Sequence, residues 1–87
     1  MSEDSLLKFP CDLPVKIFGR NTDSFRKLVL GIIGSHFGAP SEQQIREQLS
    51  RNSGYTSLTI TVQAKSRDQV DALYQELSSS DDVMMVL

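Results

Sequence analysis

Apolar and polar positions alternate strictly from Gly54 to Ala64, with Leu58, Ile60, Val62 and Ala64 on one side and Tyr55, Ser57, Thr59, Thr61 and Gln63 on the other. A period of two over β-branched residues predicts a strand with one buried face. That face needs helices laid over it, and the chain supplies one on each side of the strand. Phe25, Leu28, Val29, Ile32, Ile33 and His36 recur at helical spacing after the turn and cap residues Gly19-Arg20-Asn21-Thr22-Asp23. They predict a helix of about four turns, stopped at Gly38 and Pro40. Gly31 and Gly34 each weaken it by about 1 kcal/mol relative to alanine, which points either to close approach by the sheet or to a deliberately soft helix. Ser66 and Gln69 are spaced as a capping box. They open a second helix with Val70, Leu73, Tyr74 and Leu77 on one face, broken at Ser78-Ser79-Ser80.

Three shorter stretches complete the pattern. Val15 and Ile17 oppose Lys16 and Phe18 in a first strand that ends at Gly19. Between Ser41 and Asn52 two readings compete: a capping box at Ser41 and Gln44 with Ile45 and Leu49 four apart suits a helix, while Gln43, Ile45, Glu47 and Leu49 alternate as in a strand. The alternation predicts a strand, joined to the long strand through the turn around Arg51-Asn52-Ser53-Gly54. The residues from Asp82 to Leu87 close the chain as a last strand. Strand, helix, strand, strand, helix, strand predicts an α+β fold, the ferredoxin-like βαββαβ sandwich, in which two helices cover one face of a four-stranded antiparallel sheet. The domain is expected over residues 14–87, with residues 1–13 as an irregular arm whose Leu6, Leu7 and Phe9 should dock on the domain or on a partner. In this topology the last strand is an edge beside the first, and its apolar residues face both ways. An exposed edge of that kind is normally blunted, so the arm or another subunit should cover its second face, and a homo-oligomer is expected.

Composition narrows the function classes. Eighty-seven residues, 39% hydrophobic and 23% charged, fit one small globular domain. A formal charge of -2 and a pI near 5.2 provide no global positive field, so nucleic acid is not an expected partner. The single cysteine, Cys11, excludes an intrachain disulfide and paired-cysteine metal sites; it reads as a packing residue and suits a reducing, cytoplasmic setting. No run approaches the ~18 apolar residues of a membrane span, and the acidic N-terminus is too poor in apolar residues for a signal sequence. Neither export nor insertion, and no membrane partner, is expected.

Leu7-Lys-Phe-Pro10, Val15-Lys-Ile-Phe-Gly19, Ser53-Gly-Tyr-Thr-Ser-Leu58, Gln69-Val-Asp-Ala-Leu-Tyr-Gln-Glu-Leu77 and Val83-Met-Met-Val-Leu87 together resemble the YbeD-like family of small bacterial proteins. The resemblance covers nearly the whole chain. Its most specific parts are the Leu-Tyr-x-Glu-Leu helix and the Met-Val-Leu ending, and residues 38–52 fit its pattern least well. It implies a ferredoxin-like fold similar to ACT regulatory domains, with no assigned catalytic activity and no cofactor.

By the same resemblance, a small ligand such as an amino acid would sit at the loop after the first strand, where the matching positions are Gly19, Arg20, Asn21 and Thr22. A glycine turn leading into a helix N-terminus offers free N–H groups and a positive dipole end to an anion, and Arg20 adds a charge. The competing reading is a plain capped turn. His36 is the only histidine and reads as structural, with no spacing that identifies a metal site. Tyr74 belongs to the core face of the second helix. Arg46, Arg51, Arg67 and Lys65, scattered among Glu47, Asp68 and Asp71, read as solvated surface. The outer face of the sheet is the more informative place. Phe18, Tyr55, Ser57, Thr59 and Thr61, with Met84 and Val86 from the last strand, are the expected interaction surface. RNA-recognition domains carry aromatics on this face at central-strand positions occupied here by serine and threonine. Acylphosphatases share the fold, and Gly19-Arg-Asn-Thr-Asp-Ser-Phe-Arg26 resembles their first loop, but the phosphate-cradling glycines are missing and Asp23 would repel an acyl phosphate. The expectation is a non-enzymatic binding or regulatory module that contacts a protein partner, with a small-ligand sensor as the alternative.

Overall fold

A computed structural model describes residues 8–87. The elements, in chain order, are β1 (Cys11–Arg20), α1 (Asp23–Phe37), a single 3-10 turn (Glu42–Gln44), β2 (Ile45–Leu49), β3 (Tyr55–Ala64), α2 (Arg67–Ser78) and β4 (Val83–Val86). The four strands form one antiparallel sheet in the order β2-β3-β1-β4. This is the ferredoxin-like sandwich that the periodicity predicts.

The alternation of β3 decides where the core lies. Leu58, Ile60 and Val62 are buried with Val15 and Ile17 of β1. Phe25, Val29, Ile32 and Ile33 of α1 and Leu73 and Leu77 of α2 close over them. Fully burying side chains of this size contributes about 1.5–3 kcal/mol each. Among the described residues no helix lies on the opposite face of the sheet.

β1 starts at Cys11, four residues before the alternation from Val15 suggests, and pairs along the whole of β3 from Cys11 opposite Ala64 to Arg20 opposite Tyr55. Pro14 would ordinarily be excluded from an inner strand. Here Lys16 N–H donates to Leu87 O at 3.2 Å, so Pro14, two residues earlier, turns its donorless nitrogen toward the same side, beyond the end of β4. No ladder hydrogen bond is lost.

The stretch from Ser41 to Asn52 keeps the capping box but not a helix, and the strand reading holds from Ile45. The capping box is present: Gln44 Oε1 accepts from Ser41 N–H at 2.8 Å and closes one turn. Ile45–Leu49 then pairs with β3, from Ile45 opposite Ile60 to Leu49 opposite Thr56. In the connecting loop, Ser50 N–H donates to Tyr55 O at 2.9 Å and Asn52 Oδ1 accepts from Gly54 N–H at 3.0 Å. The left-handed position falls on Ser53 (φ 61°) rather than on the neighbouring glycine.

α1 is capped by Thr22, whose hydroxyl oxygen accepts from Phe25 N–H at 3.1 Å. α2 is capped by Ser66, which accepts from Gln69 N–H at 3.2 Å, while Gln69 Oε1 accepts from Lys65 N–H at 2.9 Å. The same Gln69 donates to His36 O at 3.1 Å and so ties the start of α2 to the end of α1. Of the two explanations for the glycines in α1, close approach by the sheet is excluded: nothing lies within 4 Å of a Cβ built at Gly31 or Gly34.

Candidate functional site

The loop after β1 is occupied by its own structure. A Cβ at Gly19 would fall 2.3 Å from the Phe25 ring and 2.8 Å from Asp82 O, so glycine here makes room for the first aromatic of α1. Asn21 donates its side-chain N–H to Ser53 O at 2.8 Å and accepts from Arg26 Nη2 through Oδ1. Thr22 is the helix cap. Arg20 is exposed and lines a cavity of about 140 Å³ with Thr22, Ser24, Phe25, Asp81, Asp82 and Met84. The four sequence-predicted ligand residues are therefore contiguous, but two acidic side chains share the space around Arg20.

Next to this loop stands a polar cluster that sequence spacing does not reveal. Arg26 Nε and Nη2 donate to Glu47 Oε2 at 2.9 and 2.6 Å, and Thr56 Oγ1 donates to the same oxygen at 2.7 Å. The Arg26 hydrogen bond, followed by that of Thr56, holds the Glu47 carboxyl below the usual carboxylate range, and the Glu47 hydrogen bond raises Arg26 further. Arg26 and Glu47 lie 21 residues apart on α1 and β2. Their alignment depends on the sheet register, so no local motif signals it. At the other end of α1, His36 Nε2 sits 2.7 Å from Glu76 Oε1 of α2, as a structural histidine would. Tyr74 is half-buried against the core, donates its hydroxyl to Leu87 O at 3.1 Å and has its pKa raised by burial. Among the described residues, no group of three or more His, Cys, Asp or Glu side chains is placed to hold a metal ion.

The outer face of the sheet is the remaining candidate. Residues opposite one another in a ladder share a face, which places Phe18, Ser57, Gln48 and Met85 in one row and Lys16, Thr59 and Arg46 in the next. Phe18, Gly19, Tyr55, Met84 and Met85 line an apolar groove of about 300 Å³. Lys16, Phe18, Gln48, Leu49, Ser50, Tyr55, Thr56 and Ser57 line a second groove of about 280 Å³ on the β2 side. Met84, Met85 and Tyr55 keep 62%, 54% and 44% of their surface exposed. Of the predicted surface, Phe18, Tyr55 and Met84 meet in one groove, Ser57 and Thr59 share their face, and Thr61 lies farther along β3 opposite Pro14. Val86 pairs with Ile17 and packs against the core beneath the helices. The cause is a β-bulge: Phe18 faces Met85 but Gly19 faces Val83, so Met84 is the extra residue and the phase of β4 changes there. Met85 thereby takes the outer position that strict alternation assigns to its neighbours.

A four-stranded antiparallel sheet with both helices on one face and an apolar groove on the opposite face defines a ferredoxin-like α+β sandwich. The family described as "Protein of unknown function (DUF493)" matches residues 4–87. The chain belongs to this family, the YbeD-like group that its motifs resemble. Among its bacterial relatives, a UPF0250 protein of Nitrosomonas europaea is 41% identical over 87 residues, covering 100% of both chains. A UPF0250 protein of Janthinobacterium sp. is 38% identical over 97% of this chain and 92% of its own length. Of solved structures, the ACT domain from GTP pyrophosphokinase of Chlorobium tepidum superposes with a TM-score of 0.62 at 21% identity, over 88% of this chain and 97% of that one. A protein of H. pylori solved in solution superposes with a TM-score of 0.65 at 16% identity, over 100% of this chain and 94% of that one. Both structural likenesses concern the fold.

Proposed function

We propose that this chain is a non-enzymatic binding or regulatory module of ACT-like architecture that acts through protein contacts at the helix-free face of its sheet. The observation that carries the reading is the groove formed by Phe18, Tyr55, Met84 and Met85. Methionine and aromatic side chains are concentrated at protein interfaces because they bury large areas and adapt to the partner. Contiguous exposed patches of this kind mark interaction sites. A domain from an enzyme, GTP pyrophosphokinase, is among its structural neighbours, which supports the analogy with a module that serves another activity. The non-enzymatic reading is favoured because Arg26, the residue an acylphosphatase-like mechanism would need, is bound to Glu47. The ligand-sensor reading has less support, since Asn21 and Thr22 are engaged in the loop's own hydrogen bonds. A reducing cytoplasmic setting suits the single thiol. Among the described residues no helix is long and apolar enough to cross a membrane.

The test is a pull-down from native cytoplasm with three baits: the unmodified chain, a Met84→Lys/Met85→Lys double variant, and Leu30→Lys on the exposed side of α1. A protein retained by the first and third baits and lost by the second supports the reading. Identical capture by all three, or none by any, sinks it. A thermal-shift panel of amino acids, lipoate and acyl metabolites tests the sensor alternative, which a specific stabilisation would favour.

A further inference from the structure

We infer that the occupant of the outer sheet face is an acidic amphipathic helix of a partner protein, an assignment that rests on the reading of that face as a contact surface. Although the chain is net negative, the outer face carries cations beside its groove. Lys16 and Arg46 flank Thr59 across three adjacent strands of the outer face, and Arg20 stands opposite Tyr55. No ion pair among the described residues engages any of the three. Lys16 Nζ lies 5.3 Å from the centroid of the Phe18 ring, which leaves its charge at the lip of the apolar groove.

The acid that lines a cavity with Lys16 and Arg46 is already paired, whereas Arg20 shares its cavity with Asp81 and Asp82 and adds little to the field. Glu47, which lines a neighbouring cavity with Lys16 and Arg46, is bound to Arg26 and Thr56. Asp81 and Asp82 lie past the end of the sheet beside Arg20, and Asp12 stands at the far end opposite Gln63. An apolar groove with Lys16 at its lip and Arg46 in the adjoining row of the sheet complements a ligand with apolar anchors and flanking carboxylates. It opposes a second copy of the same face, which would set Lys16 and Arg46 against their counterparts.

The shape suits a helix. Two adjoining grooves of about 300 and 280 Å³ share Phe18 and Tyr55 as the ridge between them. A helix about 10 Å across can set successive apolar turns into both while its polar flanks reach Lys16 and Arg46. α1 and α2 already fill the other face, so a third helix would complete a layered sandwich.

The experiment titrates the isotope-labelled chain with a synthetic helix of about 18 residues, leucine on one face and glutamate on the other. It is repeated with a lysine-for-glutamate version and with an oligouridylate. The expected result is shift changes at Phe18, Tyr55, Met84 and Met85, affinity at least about tenfold weaker for the lysine version, and weakening with added salt. Lys16→Glu with Arg46→Glu should reverse the peptide preference, and unchanged far-UV dichroism would show that the fold persists. Equal binding of both peptides to this face sinks the charge assignment while leaving the contact surface intact. Shift changes confined to α1 and α2 sink both. Tighter binding of the oligouridylate would assign the face to nucleic acid, and concentration-dependent broadening without peptide at Tyr55, Thr59 and Arg46, away from the β4 edge, would assign it to a second copy; either overturns the inference.

Discussion

Gly19 and Glu47 do work that their neighbours in sequence do not announce. At Gly19, the Phe25 ring and Asp82 O stand where a side chain would go. Gly19→Ala is expected to destabilise the domain by about 1–3 kcal/mol, the usual range for an overpacked site, measured by urea unfolding. Glu47 is held ionised by Arg26 and Thr56, so its folded pKa lies below its unfolded value. The stability it contributes is fully present above the ordinary carboxylate range and is lost as the pH falls through the folded value. Glu47→Gln should therefore be less stable than the unmodified chain at pH 7, and the gap should close below about pH 4.5. Paired thermal melts across that window check it, and a constant gap would show that the carboxylate charge is not the cause. Neither role was legible beforehand. A glycine before a helix looks like a turn, and a glutamate on a mixed-charge strand looks like surface, until packing brings Phe25 and Asp82 onto Gly19 and Arg26 onto Glu47.

α1 illustrates how an element can be legible while the reason for its composition is not. Its apolar period predicts a helix, and the observed buried residues are Phe25, Val29, Ile32 and Ile33. Gly31 and Gly34 have open space around them and no contact that requires them. Replacing both with alanine is expected to stabilise the domain by about 1 kcal/mol per site, measured by denaturant midpoint. No gain at either site would mean that α1 tolerates glycine for a reason outside its own propensity. β4 shows the opposite case. Its apolar character was legible, but a single bulge at Met84 sets which residues face the helices, because a one-residue slip moves every later side chain to the other face. β2 lies between the two: one capped turn and then a strand, with β3 as its sole neighbour among the described strands.

Across the whole molecule, the edges and the helix-free face govern how it meets others. β4 is a short outer strand, and the face beside it exposes Met84 and Met85. An edge of this kind can pair with another copy, and such pairing leaves Lys16 and Arg46 free for the partner helix. Sedimentation equilibrium should show a concentration-dependent dimer, weakened by proline at Met84, whereas a strict monomer at high concentration would rule out edge pairing.

The sequence by itself determined the order of elements, the buried faces of β3, α1 and α2, and hence the ferredoxin-like topology. Periods of two and 3.6 are local properties of the chain, and burial of one face follows from them. Tertiary structure alone decided the phase of β4, the Arg26–Glu47–Thr56 cluster, the need for glycine at position 19 and the placing of Lys16 and Arg46 in one row of the outer face. Each of these depends on register and on contacts between distant residues, which no periodicity along the chain encodes.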